Sequence, residues 1–565
     1  MKKKLFLYIS FALIIILSAY LNFTGYRWGL PCPEHLYSYH PDEGINMGGA
    51  IRIFAGEKVP GFYNYSSLYF YIVSYVLSTA SAWGILNIGE SLTPDNLTVM
   101  YACGRITSII FSVLSVGLCF MTGYRLKGIK AAVFAGVLFA LCPIFVMHSK
   151  FIAVDVTVGF FVILTIFITT FIKIPEKGSP FSEENRKTFL VPLLLAGITS
   201  GLAMGVKYNG IEVFAVPTAY LIIILFQKKI SIKDAILSLI FSGLCAVLVF
   251  LITTPGIFLD THNFIKDFTY ELNHIKTGHG DEFVNTGIGF FYTFRENMIS
   301  GMGFLFSCVS AISVIVCLFI KNRYIKSISI FALIYYISIS MGNVRFARYI
   351  IPLLSSFSLL AAYIMAEFWN RKSYLTKAVT LILFLLMIYS NIGDSMFYNH
   401  CFTEKEYRDC IYESMLKYRK GASVGFPTVP WYYTPPFLKE TSVMRSQRYE
   451  FAKECKEFTL FCQKEEKDEW NSEYLKSTLP DFVIVSSIES YHKKRLNDPK
   501  YNEYINVLYD NYLKNITPVY GQNLCHQILL LSKPFIPRDM AYMQPSYTIW
   551  IRKDIAKKER AEKLK

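Results

Sequence analysis

Two acidic positions stand out because of where they fall. Tyr39-His40-Pro41-Asp42-Glu43-Gly44 lies in a polar stretch beyond the first apolar run, and Asp155 opens another run in Lys150-Phe-Ile-Ala-Val-Asp155-Val-Thr. An ionisable residue at the start of an apolar stretch is costly, which marks it for function. Each also has a plain structural reading. Pro41 with Asp42 and Glu43 would begin a helix, and Asp155 would cap the run that follows it. Basic groups recur in matching settings: Lys207 in Gly205-Val-Lys-Tyr-Asn-Gly210, His274 in Glu271-Leu-Asn-His-Ile-Lys276, and Arg345, Arg348 and Tyr349 just before the run from Ile350. For the arginines the structural alternative is headgroup contact or snorkelling, and for His274 an ordinary interfacial polar site. Carboxylates that take a proton from a hydroxyl, with cations that hold a departing phosphate, define one chemistry: displacement of phosphate by an activated hydroxyl. Phosphate leaves readily, so that chemistry dispenses with a general acid.

Such residues act together only if the elements carrying them reach one side of a membrane. The 565 residues are 53% hydrophobic, 18% charged and 16% aromatic, with a mean hydropathy of +0.35. Soluble domains carry about 25% charged residues, so this composition excludes an ordinary soluble protein and a disordered one. Apolar runs long enough for a bilayer cover residues 5–23, 106–124, 131–147, 156–172, 189–204, 211–226, 235–253, 302–320, 327–341, 350–368 and 378–392. The run 66–86 is ambiguous. The first run is long and lacks a small-residue cleavage site, which argues against a signal peptide.

Charge resolves the ambiguity. If 66–86 does not cross, the loops on the N-terminal side are 1–4, 125–130, 173–187, 228–233, 321–326 and 370–377, each with three or four Lys or Arg. The short loops opposite carry Lys150, Lys207, or Arg345 with Arg348. That is the positive-inside distribution, and it accounts for the net charge of +15 without nucleic acid. Residues 66–86 are therefore expected to lie on the outer face, where their Tyr, Ser and Trp suit an interface. The two acidic sites and the cations then share that face.

Three segments are expected outside: the loops 24–105 and 255–301, and a tail richer in Lys, Glu and Tyr. The strand-sized runs of the tail, Asp481-Phe-Val-Ile-Val-Ser and Gln527-Ile-Leu-Leu-Leu, and its helical spacing over 404–420 and 501–513 indicate a small α/β domain. The tail holds Cys401, Cys410, Cys455, Cys462 and Cys525. Outside a membrane, Cys401–Cys410 and Cys455–Cys462 are the near-neighbour pairings, with free thiols the other reading. No CxxC pair or zinc-type spacing occurs.

In order and membrane side these stretches resemble a GT-C superfamily glycosyltransferase of glycosyltransferase family 39 type, nearest the branch of protein O-mannosyltransferases and the lipid A aminoarabinose transferase. The matching stretches are Pro41-Asp42-Glu43 before an interfacial helix; Arg105, then Pro143 through Ser149 leading to Asp155; Gly201-Leu-Ala-Met-Gly-Val-Lys207; and Arg345-Phe-Ala-Arg348-Tyr349-Ile-Ile-Pro352. The resemblance implies transfer of one sugar from a polyprenyl-phosphate donor with inversion. It makes Asp42 the general base, Glu43 its partner and Asp155 the second carboxylate, and it puts Lys207, His274, Arg345 and Tyr349 near the donor phosphate. Arg348 joins them by its place beside Tyr349. The sequence also departs from that pattern. A Lys-Pro pair entering the interfacial helix is replaced by Tyr63-Asn64-Tyr65-Ser66-Ser67. The long Trp-Trp-Asp motif of oligosaccharyltransferases is missing, and 255–301 is too short for the β-trefoil of protein O-mannosyltransferases.

The expectation is an α-helical polytopic membrane protein of GT-C type, with about eleven transmembrane helices in residues 1–393 and an extracytoplasmic α/β domain in 394–565. Its partners would be a polyprenyl-phosphate-linked sugar, an extracytoplasmic acceptor and the bilayer of a plasma membrane. No cofactor is required by this chemistry. A divalent metal on Asp42, Glu43, Asp155 and His274 is the less favoured arrangement. The alternative function is a transporter or flippase for a lipid-linked glycan, which would favour acids and broken helices at mid-membrane.

Overall fold

The computed structural model describes residues 2–87, 93–175, 180–438, 455–516, 536–543 and 545–563. Each of the eleven apolar runs falls on a helix. Among the described residues eight helices are long and apolar enough to cross a membrane, and four shorter apolar helices accompany them: Leu68–Ala82, Ile129–Ala140, Val154–Thr169 and Phe304–Cys317. The run 131–147 is split, because Pro143 opens a second short helix, Pro143–His148, where the first has ended.

Local sequence sets the helix ends that matter here. Pro94–Lys127 begins with Thr93 accepting the Asn96 N–H, Pro94 in its first turn and Asp95 behind it. It ends with Arg125 and Lys127 in the last turn and with Gly128 at a φ of 80°. At 34 residues it is about 50 Å long, with Arg105 in the half nearer its N-terminus. Leu68–Ala82, at 15 residues, is about 22 Å long, shorter than a hydrocarbon core of about 30 Å. It buries Tyr69, Phe70, Val73 and Leu77 and leaves Tyr75 and Trp83 exposed, as an interfacial helix would. Close packing of Val191–Val206 on Ile232–Thr253 depends on Gly197 and Gly201. A Cβ there would lie 2.2 Å from the Ser242 carbonyl oxygen and 2.4 Å from that of Ala246.

The last long membrane helix, Tyr374–Thr403, runs on through residue 393, so the membrane helices and the tail are joined by continuous helix. The tail holds a five-stranded sheet in the order β2-β1-β3-β5-β4, with β1 Ser423–Gly425, β2 Thr459–Phe461, β3 Phe482–Ser486, β4 Tyr512–Ile516 and β5 Tyr547–Arg552. β1 is parallel to β2 and β3, and β5 runs antiparallel to β3 and β4, with Ile484 opposite Ile549. β3 is buried on both faces, which explains its unbroken apolar run. Phe482 and Ile484 join Ile411, Phe426 and Phe437, while Val483 and Val485 join Trp470, Leu508 and Trp550. Helices Tyr407–Tyr418 and Pro499–Asn511 fall on the two stretches of helical spacing. Cys401, Cys410, Cys455 and Cys462 are free thiols. Cys525 and the strand expected at 527–531 lie outside the described residues.

The tail docks through buried polar groups. Arg408 is fully buried, pairs with Glu406 at 2.7 Å, and donates to the carbonyls of Tyr432 at 2.6 Å and Tyr542 at 2.8 Å. Its guanidinium lies 4.1 Å over the ring of Tyr39 in the first outer loop. Trp28 donates to Glu406 at 2.7 Å. The second outer loop is tied to the tail by Lys493–Asp281 at 2.7 Å and Arg538–Glu282 at 3.0 Å.

Candidate active site

Arg348 is the centre of the charged cluster. It lies on the short turn Ala347–Ile350 that leads into the helix Ile351–Asn370, and it is 7% exposed. Its NH2 is 3.3 Å from Asp42, its Nε 3.8 Å from Asp155 and its NH1 3.9 Å from Asp539. Among the described residues NH1 has no hydrogen-bond partner. The guanidinium lies over Phe346, its carbon 4.1 Å from the ring centre.

Asp42 immediately precedes the helix Glu43–Phe54, yet its side chain makes no capping bond. His40 Nδ1 accepts the Asp42 N–H at 3.2 Å and fixes the helix entry. The Asp42 carboxylate is a quarter exposed and lines a 230 Å³ cavity with Tyr65, His274, Arg348, Tyr349 and Tyr542. Asp155, in the first turn of Val154–Thr169, likewise makes no cap. It accepts from Lys207 Nζ at 2.8 Å. Lys207, at the end of Val191–Val206, also sits 4.5 Å over the ring of Tyr349.

Glu43 points the other way. It is fully buried and accepts two bonds from Arg105, at 2.8 and 2.7 Å, one from the Ile152 N–H at 2.8 Å, and one from the Ser38 hydroxyl. Burial by itself would raise its pKa, but the charge and hydrogen bonds of Arg105 outweigh it and hold the carboxyl below its ordinary value. Arg345 is turned from the cavity as well: it bonds Thr286 at 2.9 Å and the Gly287 carbonyl at 2.8 Å. His274, on the outer helix Thr261–Thr277, reaches the cavity and shares a 2.9 Å bond with His279. Of the residues picked out from sequence, the fold therefore brings Asp42, Asp155, Lys207, His274, Arg348 and Tyr349 together and sets Glu43 and Arg345 apart. Among the described residues no three His, Cys, Asp or Glu side chains form a metal-binding group. Asp42 and Asp155 instead face cations.

Sequence reasoning missed the contribution of the tail. Asp539 is 1% exposed and accepts the backbone N–H groups of Ala347 at 3.2 Å and Arg348 at 2.9 Å. Burial raises its pKa despite the nearby Arg348. Arg538 and Tyr542, from the same segment, line the cavity, and Tyr542 stands edge-on to His40 at 4.9 Å. Asp539 lies 191 residues from Arg348 in the chain, in a mixed stretch without regular periodicity, so no local signal marked it.

The bundle of membrane helices carries a charged cavity at one end, closed over by the small α/β tail. Residues 67–266 match the family model described as dolichyl-phosphate-mannose-protein mannosyltransferase. No curated protein matches the chain in sequence. Among solved structures, the oligosaccharyltransferase AglB of Archaeoglobus fulgidus, in complex with an inhibitory peptide and a dolichol-phosphate, is similar with a TM-score of 0.53. The identity is 12%, over 92% of this chain and 74% of that one. ArnT of Cupriavidus metallidurans, bound to undecaprenyl phosphate, gives 0.48 at 11% identity over 96% and 97% of the two chains. The archaeal likeness shows the fold, and this chain is a multi-pass membrane protein that shares it.

Proposed function

We propose that the chain is a membrane glycosyltransferase that moves one sugar from a polyprenyl-phosphate donor to a hydroxyl on the extracytoplasmic face of a plasma membrane, with inversion. The relatives named above act with, or were solved with, polyprenyl-type phosphates, and the positive-inside charge pattern puts the cavity outside. The observation that carries the reading is the geometry at Arg348. One buried guanidinium adjoins the cavity carboxylate Asp42, and its NH1, 3.9 Å from Asp539, has no hydrogen-bond partner among the described residues. Asp42 takes the acceptor proton, and the acceptor oxygen attacks the anomeric carbon. The bond from that carbon to the phosphate oxygen breaks on the opposite face, and polyprenyl phosphate departs. Arg348 and Lys207 hold the charge that develops on it, while Asp155 keeps Lys207 in place. Glu43 acts on Asp42 through the backbone, by pinning the helix that Asp42 precedes.

The test is mass spectrometry of envelope glycans and polyprenyl-phosphate sugars from cells carrying wild-type protein or Asp42→Asn. Loss of one sugar from an envelope acceptor, with that sugar accumulating on polyprenyl phosphate, is expected. Unchanged pools with normal protein levels would remove Asp42 as the base.

A further inference from the structure

A cleft of 590 Å³ separates the second outer loop from the tail, within the range of roughly 300–1,000 Å³ typical of sites for drug-sized ligands, the size class of a short oligosaccharide. It shares His274, His279, Glu282, Trp431 and Arg538 with the cavity that holds Asp42. On its other side that cavity shares Asn64, Glu271 and Tyr349 with a 140 Å³ pocket walled by Lys207, Leu272, Ile275 and Val344. The three spaces form one path, apolar at the membrane helices and polar at the tail. If the reaction proposed above holds, and the inference rests on it, a lipid-linked donor takes the apolar end and the tail end is left for the acceptor.

The lining of the tail end describes that acceptor. Its two cations are already engaged, Lys493 with Asp281 and Arg538 with Glu282. Glu466 and Glu469 add two more carboxylates, and Glu489 a carboxyl that burial keeps protonated near neutral pH. A polyanionic acceptor would be repelled there, whereas carboxyl oxygens accept bonds from hydroxyls. Trp431 is half-buried on the wall and offers a ring for the apolar face of a sugar. His492 is 7% exposed and lines the cleft, its buried Nδ1 without a partner among the described residues, which calls for a polar group. None of the lining residues belongs to a strand, so the wall offers no backbone ladder to an extended peptide.

We infer that this cleft is the acceptor site and takes a neutral, hydroxyl-rich glycan chain whose end reaches Asp42. The experiment titrates the full chain in nanodiscs with neutral linear trisaccharides of glucose, mannose, galactose and N-acetylglucosamine, with the same sugars bearing a terminal phosphate, and with a neutral serine-rich peptide. At least one neutral trisaccharide is expected to bind, and its phosphorylated form at least about tenfold more weakly, a difference of ~1.4 kcal/mol. Trp431→Ala should lose that binding by a similar factor, and Trp431→Phe should keep it. Equal or tighter binding of the phosphorylated sugars, binding of the peptide alone, indifference to Trp431→Ala, or no binding of any neutral trisaccharide would overturn the inference. The two readings fail separately. Transfer that survives Asp42→Asn sinks the reaction, while transfer lost in Asp42→Asn without neutral sugar binding sinks only the acceptor assignment.

Discussion

Arg348 faces three carboxylates from three distant parts of the chain, Asp42, Asp155 and Asp539. A lysine cannot reproduce that, because it presents one point charge where the guanidinium presents a planar fork. Arg348→Lys is expected to weaken donor binding about tenfold, the loss of one charge-assisted contact at ~1.5 kcal/mol, with protein levels preserved. Donor KM in proteoliposomes measures it, and an unchanged KM would remove Arg348 from phosphate binding. Asp539 acts one step back, holding the backbone of Ala347 and Arg348. Asp539→Asn should raise donor KM while leaving kcat nearly unchanged. A fall in kcat alone would show that Asp539 meets the reacting groups.

Two elements place the base. The helix Glu43–Phe54 is pinned to Pro94–Lys127 by the buried pair Glu43–Arg105. Removing one partner leaves an unpaired charge where both side chains are fully buried, so Arg105→Met is expected to destabilise the protein by about 3–5 kcal/mol. Adding Glu43→Gln should recover part of that loss. Thermal unfolding in detergent gives the answer, and a double variant no better than the single would show that the pair is not the cause. If Leu68–Ala82 lies along the membrane, as its length and the loop charges lead us to expect, the topology follows. Cysteine at position 83, exposed on that helix, should react with an impermeant reagent from outside, and cysteine at position 229, in a basic loop, should not. The reverse labelling would mean that Leu68–Ala82 crosses.

The whole molecule depends on the seam between the outer loop and the tail. Burial holds His279 down to about 4 and His492 down to about 3, against an ordinary 6.5. Both are neutral in the fold and become charged first in the unfolded chain, so the stability they support is complete above pH 6.5 and is lost as the pH falls toward 4. Burial pushes Glu489 up to about 8 from 4.5. Its unfolded form ionises first, so that contribution declines as the pH rises from 4.5 toward 8. The slopes oppose each other below 6.5, which leaves the decline from 6.5 to 8 as the clear readout. The melting temperature should fall across that window in wild type, and Glu489→Gln should flatten it. An equal slope in both would place the titrating group elsewhere.

Much of this was legible in the amino-acid order. The apolar runs and the Lys/Arg asymmetry determined the membrane helices and the common side of Asp42, Asp155, Lys207 and Arg348, because bilayer thickness and loop charge act on local sequence. The periodicity of the tail determined β3 and its two flanking helices, because the apolar spacing of a strand or helix is also a local property of sequence. Tertiary structure alone decided what each charge faces. Adjacent in sequence, Asp42 and Glu43 turn opposite ways, one to the cavity and one to the buried Arg105. Arg345 and Arg348, three residues apart, part in the same manner. Asp539 meets Arg348 only because the tail folds back over the membrane helices. Periodicity reports which face of an element is apolar, but the partner of a buried charge is set by whichever distant segment packs against it.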